Sequence, residues 1–140
     1  MIANVEEIKK WESVEVERSA SEAKRKESND LRIKPDIIAR YAKPPADTFY
    51  PLEYAYHLLG DVAGKTVLDY GCGLGDNSVL LASRGAKVIG VDISPELIEL
   101  AEKRLELHHL AENAEFRVSD RFEKNRSSSF FQYAKNFCRS

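Results

Sequence analysis

One short segment, Asp69-Tyr70-Gly71-Cys72-Gly73-Leu74-Gly75, constrains the fold of this chain more than any other part of its sequence. Residues 66–70 predict a short strand that ends at the first glycine, and a helical pattern begins directly after the last one. Glycines let the backbone adopt positive φ angles and approach a ligand closely. The N-terminus of the following helix offers free N–H groups and a partial positive charge. The segment therefore predicts a strand, a glycine turn and a helix that together bind a ligand.

The same alternation of strand and helix continues along the chain. Residues 87–91 predict a second strand that ends at Asp92, and the Ser-Pro pair at 94–95 predicts the start of the next helix. Residues 114–118 predict a third strand, which Asp120 follows. Strands that alternate with helices form parallel sheets with right-handed crossovers. We therefore predict an α/β fold, a Rossmann-like parallel sheet with flanking helices.

Prolines limit where helices can form in the region before the glycine turn. Pro35, Pro44 and Pro45 disfavour one continuous helix over residues 34–46. Pro51 predicts the start of a helix with an apolar stripe, which a following glycine ends. We expect this helix to lead directly into the first strand.

An acidic residue stands at the carboxyl end of each predicted strand: Asp69, Asp92 and Asp120. In a doubly wound sheet, ligands bind beyond these ends, and a carboxylate about 20 residues after the glycine turn can accept both ribose hydroxyls of a nucleoside. Asp92 has that position. A dinucleotide motif, G-x-G-x-x-G, would place its third glycine where this chain has Asp76. The spacing therefore disfavours a nicotinamide oxidoreductase. Asp69, two residues before Gly71, suits a ligand with a positively charged group better than a pyrophosphate.

These residues resemble the cofactor motifs of the class I S-adenosylmethionine-dependent methyltransferases. Residues 69–75 resemble the family's first motif, residues 88–94 its second-strand motif and residues 116–120 the end of its third strand. The resemblance spans about residues 50–120 and implies S-adenosylmethionine as the cofactor, with methyl transfer to an unidentified acceptor as the function. It implies that the turn and Asp69 hold the methionine moiety. It also implies that Asp92 binds the ribose hydroxyls, that Ile93 packs on the adenine and that Asp120 bonds the adenine amino group. The implied cofactor-binding residues are Asp69, Gly71, Cys72, Gly73, Gly75, Asp92, Ile93 and Asp120.

The resemblance ends near Asp120, after three of the seven strands that the family's sheet contains. We therefore expect a fold truncated after the third strand and an incomplete form of the enzyme. We divide the chain into a charged N-terminal helix or linker (1–30), the cofactor-binding half of a methyltransferase domain (31–120) and a basic aromatic tail outside the family pattern (121–140). The first strand then has an unpaired edge, which favours self-association. The alternative function is a non-catalytic remnant that binds S-adenosylmethionine or a partner.

The remaining sequence features exclude several other classes. We assign no catalytic base, and the histidines and cysteines lack the spacing of metal ligands, so we predict no metal site. The chain has 21 basic and 23 acidic side chains, a net charge of −2, which argues against nucleic acid as a partner. No apolar run approaches the ~20 residues that a membrane helix needs. With no recognisable secretion signal, we predict a cytoplasmic protein without membrane contact.

Overall fold

The computed structural model describes residues 5–26 and 31–119. Its three strands form a parallel sheet in the order β1-β2-β3, and helices flank the sheet, which confirms the predicted α/β class. The elements, in chain order, are α1 (Val5–Arg25), α2 (Pro35–Ala42), α3 (Pro51–Leu59), β1 (Thr66–Tyr70), α4 (Asp76–Ser83), β2 (Lys87–Asp92), α5 (Pro95–Leu107), a short 3-10 helix (Ala111–Asn113) and β3 (Ala114–Val118).

The strand register brings the carboxyl ends of the strands together at one edge of the sheet. Tyr70 lies opposite Val91, and Asp92 lies opposite Val118. Beyond the ladder, the Gly71 N–H donates to the Val91 carbonyl oxygen at 2.7 Å, so the glycine turn stays beside the end of β2. The segments that follow β1 and β2 are therefore neighbours, as the sequence pattern requires.

Two apolar clusters hold the helices to the sheet. The first packs α3 and α4 around β2, and its buried members are Tyr56, Val62, Leu80, Leu81, Ala82, Ala86 and Val88. The second joins the glycine turn to α5 through Leu31, Leu74 and Leu97. Each fully buried aliphatic side chain contributes about 1.5–3 kcal/mol to folding. These clusters fix the two helices that follow the first two strands, and with them the geometry of the sheet edge.

Helix α2 begins at Pro35 and ends at Ala42, before the later prolines. The prolines therefore prevent one continuous helix, as predicted, but the helix before them was not predicted. Its Arg40 forms an ion pair with Glu53 of α3, which also accepts a hydrogen bond from the Thr48 hydroxyl. The Thr48 hydrogen bond, followed by Arg40, lowers the pKa of the Glu53 carboxyl. This buried carboxylate ties α2 to α3.

Helix α1 packs on the domain through its C-terminal half. Ser19 is buried, and Ala23 packs against the cluster that contains Leu31 and Leu97. The segment after α1 is anchored as well, because the Ile33 N–H donates to His108 Nε2 at 2.9 Å. The sequence predicted either a helix or a linker in this N-terminal region, and α1 is a helix. Its contacts with α5 were not predicted.

None of the helices within residues 5–26 and 31–119 is long and apolar enough to cross a membrane. The cytoplasmic location and the division of the chain into three parts remain predictions.

The centre of β2 contains a glycine that leaves room for an aromatic ring. A Cβ at Gly90 would overlap with the ring of Phe116 on β3 and would approach the Cys72 sulfur to 3.2 Å. We therefore expect Gly90→Ala to lower the free energy of unfolding by about 1–3 kcal/mol, as overpacked core substitutions do. Urea unfolding of the full chain measures this change. The cost should shrink in a Phe116→Leu background, and an equal cost in both backgrounds would contradict the proposed clash.

Candidate functional site

A cavity of about 580 Å³ lies beside the carboxyl edge of the sheet. Its inner wall consists of the glycine turn after β1, the start of α4 and the end of β2, while one face of α1 forms the opposite wall. The volume is within the range of about 300–1,000 Å³ that is typical of small-molecule sites. The cavity therefore occupies the position at which the strand topology predicts a ligand.

The glycine turn contributes open backbone to this cavity. Gly71 and Gly73 have φ angles of 75° and 53°, and a Cβ at either position would meet no atom within 4 Å. Gly75 also has a positive φ, 74°, but a Cβ there would lie 3.0 Å from the Ala101 Cβ. The first two glycines thus leave space for a ligand, whereas the third allows α5 to pack against the turn.

Asp92 is fixed at the end of β2 by two backbone hydrogen bonds. Its Oδ2 accepts from the Gly73 N–H at 2.8 Å, and its Oδ1 accepts from the Ser94 N–H at 3.0 Å. The Ser94 hydroxyl oxygen accepts in turn from the Leu97 N–H and caps α5. A carboxylate has about four acceptor positions. The half-buried Asp92 can therefore accept two more hydrogen bonds, as a pair of ribose hydroxyls would require.

Asp69 lies behind the glycine turn. Its Oδ2 accepts a hydrogen bond of 2.6 Å from the Ser78 hydroxyl of α4, and among the described residues Asp69 does not contribute to the cavity wall. Burial raises the pKa of its carboxyl, although the Ser78 hydrogen bond acts in the opposite direction. In this arrangement the side chain joins β1 to α4.

Cys72 lies in the turn and borders the cavity, but its side chain is buried. Burial, and then the charges of Asp69 and Asp92, raise the pKa of the thiol to about 12. Because the thiolate is the nucleophilic form, this shift disfavours Cys72 as a nucleophile at neutral pH. Cys72 therefore contributes to the site only by forming part of the cavity wall.

The predicted cofactor residues thus occupy three kinds of position. Five of them line the cavity: Gly71, Cys72, Gly73, Asp92 and Ile93. Asp69 and Gly75 lie behind that wall, in contact with α4 and α5. Asp120 lies outside the described residues. The cofactor roles of all eight remain predictions.

Sequence reasoning missed the wall that α1 provides. Its lining residues recur every three or four positions, as one face of a helix does, and they are Ile8, Trp11, Glu12, Glu15, Arg18, Ser19 and Glu22. The spacing of Ile8 and Trp11 was a visible signal of an amphipathic helix, but nothing local indicates what that face contacts. The pattern reveals the helix, whereas its partner depends on tertiary packing.

Tyr56 supports the inner wall of the cavity at the start of α4. Its hydroxyl donates to Asn77 Oδ1 at 2.9 Å, which holds this lining residue in the first turn of α4. Burial, followed by the charge of Asp69, raises the pKa of the Tyr56 hydroxyl. The phenol therefore stays protonated and acts as a fixed hydrogen-bond donor.

The cavity wall has an excess of negative charge in the part of the chain that the structure describes. Five carboxylates line it, on Glu12, Glu15, Glu22, Asp76 and Asp92, against a single cationic side chain, that of Arg18. Such a wall attracts cationic ligands and repels anions.

Comparison with known proteins identifies a family and several relatives that match part of this chain. A family described as "Methyltransferase domain" matches residues 61–133. A magnesium-protoporphyrin O-methyltransferase of Rhodobacter capsulatus is 56% identical over 45 residues, which are 32% of this chain and 20% of that protein. A ubiquinone biosynthesis O-methyltransferase of Nitrosomonas europaea is 41% identical over 54 residues, which are 39% of this chain and 23% of that protein. The chain thus spans well under half the length of either relative.

Two solved structures also align with part of this chain. An RNA methyltransferase from Salinibacter ruber, in complex with S-adenosyl-L-homocysteine, aligns with a TM-score of 0.44 and 25% identity over 65% of this chain and 51% of that one. A SAM-dependent methyltransferase from Thiobacillus denitrificans, in complex with the same molecule, aligns with a TM-score of 0.42 and 28% identity over 64% of this chain and 38% of that one.

Proposed function

The chain belongs to the methyltransferase domain family, and from this premise we propose that it binds S-adenosylmethionine and serves in transfer of the methyl group to an acceptor. The observation that carries the proposal is the cavity in which the open glycine turn and the Asp92 carboxylate lie side by side. The five carboxylates of the wall also suit this ligand, because its sulfonium and α-ammonium groups are both cationic.

Different residues of the cavity would bind different parts of S-adenosylmethionine. Asp92 would accept the two ribose hydroxyls, and Ile93, next to it on the wall, would pack on the adenine. The open backbone at Gly71 and Gly73 would take the methionine moiety, since a side chain there would fill the same space. These roles use only hydrogen bonding, packing and empty volume, all of which the described residues provide.

When bound, S-adenosylmethionine would supply a methyl group activated by its positively charged sulfur, open to in-line attack by an acceptor atom, with S-adenosylhomocysteine as the leaving group. The contribution of this chain would be to hold the ligand in one orientation, because positioning alone accounts for a large share of such a rate enhancement. Burial and a raised thiol pKa disfavour the thiolate of Cys72, and we assign it no nucleophilic role. The acceptor, and any base that takes a proton from it, are not assigned.

Trp11 provides a direct test of binding, because it is the one tryptophan of the chain, it lines the cavity and it is 73% exposed. We expect S-adenosylmethionine to change the Trp11 emission in a saturable way and to bind in calorimetry, while a nicotinamide dinucleotide produces neither signal. Trp11→Phe should remove the fluorescence change and leave the calorimetric signal. Tighter binding of the dinucleotide, or no calorimetric binding by the full chain, would refute the proposed cofactor.

Turnover distinguishes the enzyme from a non-catalytic binding protein of the same fold. Formation of S-adenosylhomocysteine by the full chain with a panel of small-molecule, protein and RNA acceptors supports the enzyme. Binding without turnover on the whole panel favours the alternative function.

Self-association through β1 remains part of the proposal. Among residues 5–26 and 31–119, β1 pairs only with β2, so its other edge has no partner strand. Leu68 and Tyr70 of this strand are also exposed. An unpaired edge beside exposed apolar side chains is a feature that favours pairing between copies.

A further inference from the structure

We propose that Glu12, on α1, is the carboxylate that pairs with the α-ammonium group of S-adenosylmethionine. The inference rests on the proposed function. It assigns α1 a direct role in cofactor binding and gives the methionine end of the ligand a partner that the sequence motifs do not contain.

The first argument is the position of Glu12. It lies in the middle of the α1 stripe that faces the cavity, between Ile8 and Glu15. Its Oε1 is buried and has no hydrogen-bond partner within the described part of the chain. A carboxylate oxygen enclosed without a partner is costly, and Glu12 as a whole is only partly buried. A rotation of this side chain toward a cation bound in the cavity would remove that cost.

The second argument comes from the other carboxylates of the cavity. Glu15 and Glu22 both pair with Arg18. Asp76 pairs with Arg104 of α5. Each of these three carboxylates therefore already has a cationic partner.

The two aspartates at the strand ends are also engaged. Asp92 accepts two backbone N–H groups and, in the proposed function, the ribose. Asp69, which the family resemblance associates with the methionine moiety, lies behind the wall and is bonded to Ser78. Among the described carboxylates of the cavity, Glu12 is thus the one that lacks a partner.

The third argument is that α1 is anchored well enough to present this residue. Ser19 and Ala23, two and three turns further along the helix, pack on the domain. The Arg18 ion pairs run along the same face. These contacts therefore fix α1 beside the cavity, and Glu12 has a defined position on the cavity wall.

Calorimetry with three ligands and three forms of the full chain tests the assignment. S-adenosylmethionine and S-adenosylhomocysteine both carry the α-ammonium group, whereas 5′-methylthioadenosine lacks the amino-acid end. We expect Glu12→Gln to weaken binding of the first two about tenfold or more, as the loss of one charged hydrogen bond implies, and to change binding of the third less than about twofold. Glu17→Gln is the matched control, because Glu17 is exposed on α1 outside the cavity wall.

Each other outcome overturns the assignment in an identifiable way. Equal affinities of Glu12→Gln and Glu17→Gln for S-adenosylmethionine would remove Glu12 from the site. Equal weakening of all three ligands would indicate a structural role of Glu12 in placing α1. Absence of binding by the wild-type chain would refute the proposed function together with this inference. Thermal unfolding of both variants, expected to match the wild type, establishes that the comparison is between folded proteins.

Discussion

We expect Gly73→Val to abolish measurable binding of S-adenosylmethionine while most of the chain remains folded. Gly73 lines the cavity, and a Cβ there would point into open space. A branched side chain would therefore occupy volume that the ligand needs. The backbone also has a φ of 53°, so any side chain adds strain of about 1–2 kcal/mol to the folded state. Calorimetry measures the loss of binding, and urea unfolding measures the strain.

Gly64→Val separates these two effects. Gly64 has a φ of 71° with no atom within 4 Å of an added Cβ, but it lies in the turn before β1 and not on the cavity wall. It should lose a comparable amount of stability and retain binding. If Gly73→Val binds the cofactor as well as Gly64→Val does, the glycine serves the turn and the proposed site is wrong.

The strands could be predicted from the sequence because local signals determine them. The first strand, Thr66–Tyr70, and the third, Ala114–Val118, have the predicted bounds, and the second extends to Asp92. Gly64 and Gly71 flank the first strand, Gly85 precedes the second, and Ser94 and Pro95 follow it. Ser94, for example, caps α5 through its hydroxyl, as its place before Pro95 indicates.

The parts that sequence reasoning missed depend on contacts between distant residues. Asp69 lies near the carboxyl end of β1 as predicted, but its orientation toward Ser78 follows from the packing of α4. The face of α1 is visible as a stripe, yet its place over the cavity depends on Ser19 and Ala23, which are too small to stand out in a hydrophobicity pattern. Local patterns therefore predicted one wall of the cavity and not the other.

Loss of the Asp92 carboxylate should have the largest effect on affinity of any single polar substitution in the cavity. Two hydrogen bonds from ribose hydroxyls to a charged acceptor contribute about 1.5–3 kcal/mol each, so Asp92→Ala should weaken binding of S-adenosylhomocysteine by about 10²–10⁴-fold. The variant also removes the acceptor of the Gly73 N–H, so the turn itself loses one support. Asp36→Ala is the control, because Asp36 is exposed on α2 outside the cavity wall.

A ligand that lacks one hydroxyl distinguishes direct ribose binding from support of the turn. The wild-type chain should bind the 2′-deoxy analogue of S-adenosylhomocysteine more weakly than the parent compound, since Asp92 then has one hydroxyl fewer to accept. In Asp92→Ala that difference should largely disappear, because the two changes remove the same interaction and their free energies are not additive. If the deoxy analogue loses the same factor in both proteins, Asp92 acts on the ligand only by holding Gly73, and the ribose is bound elsewhere in the cavity.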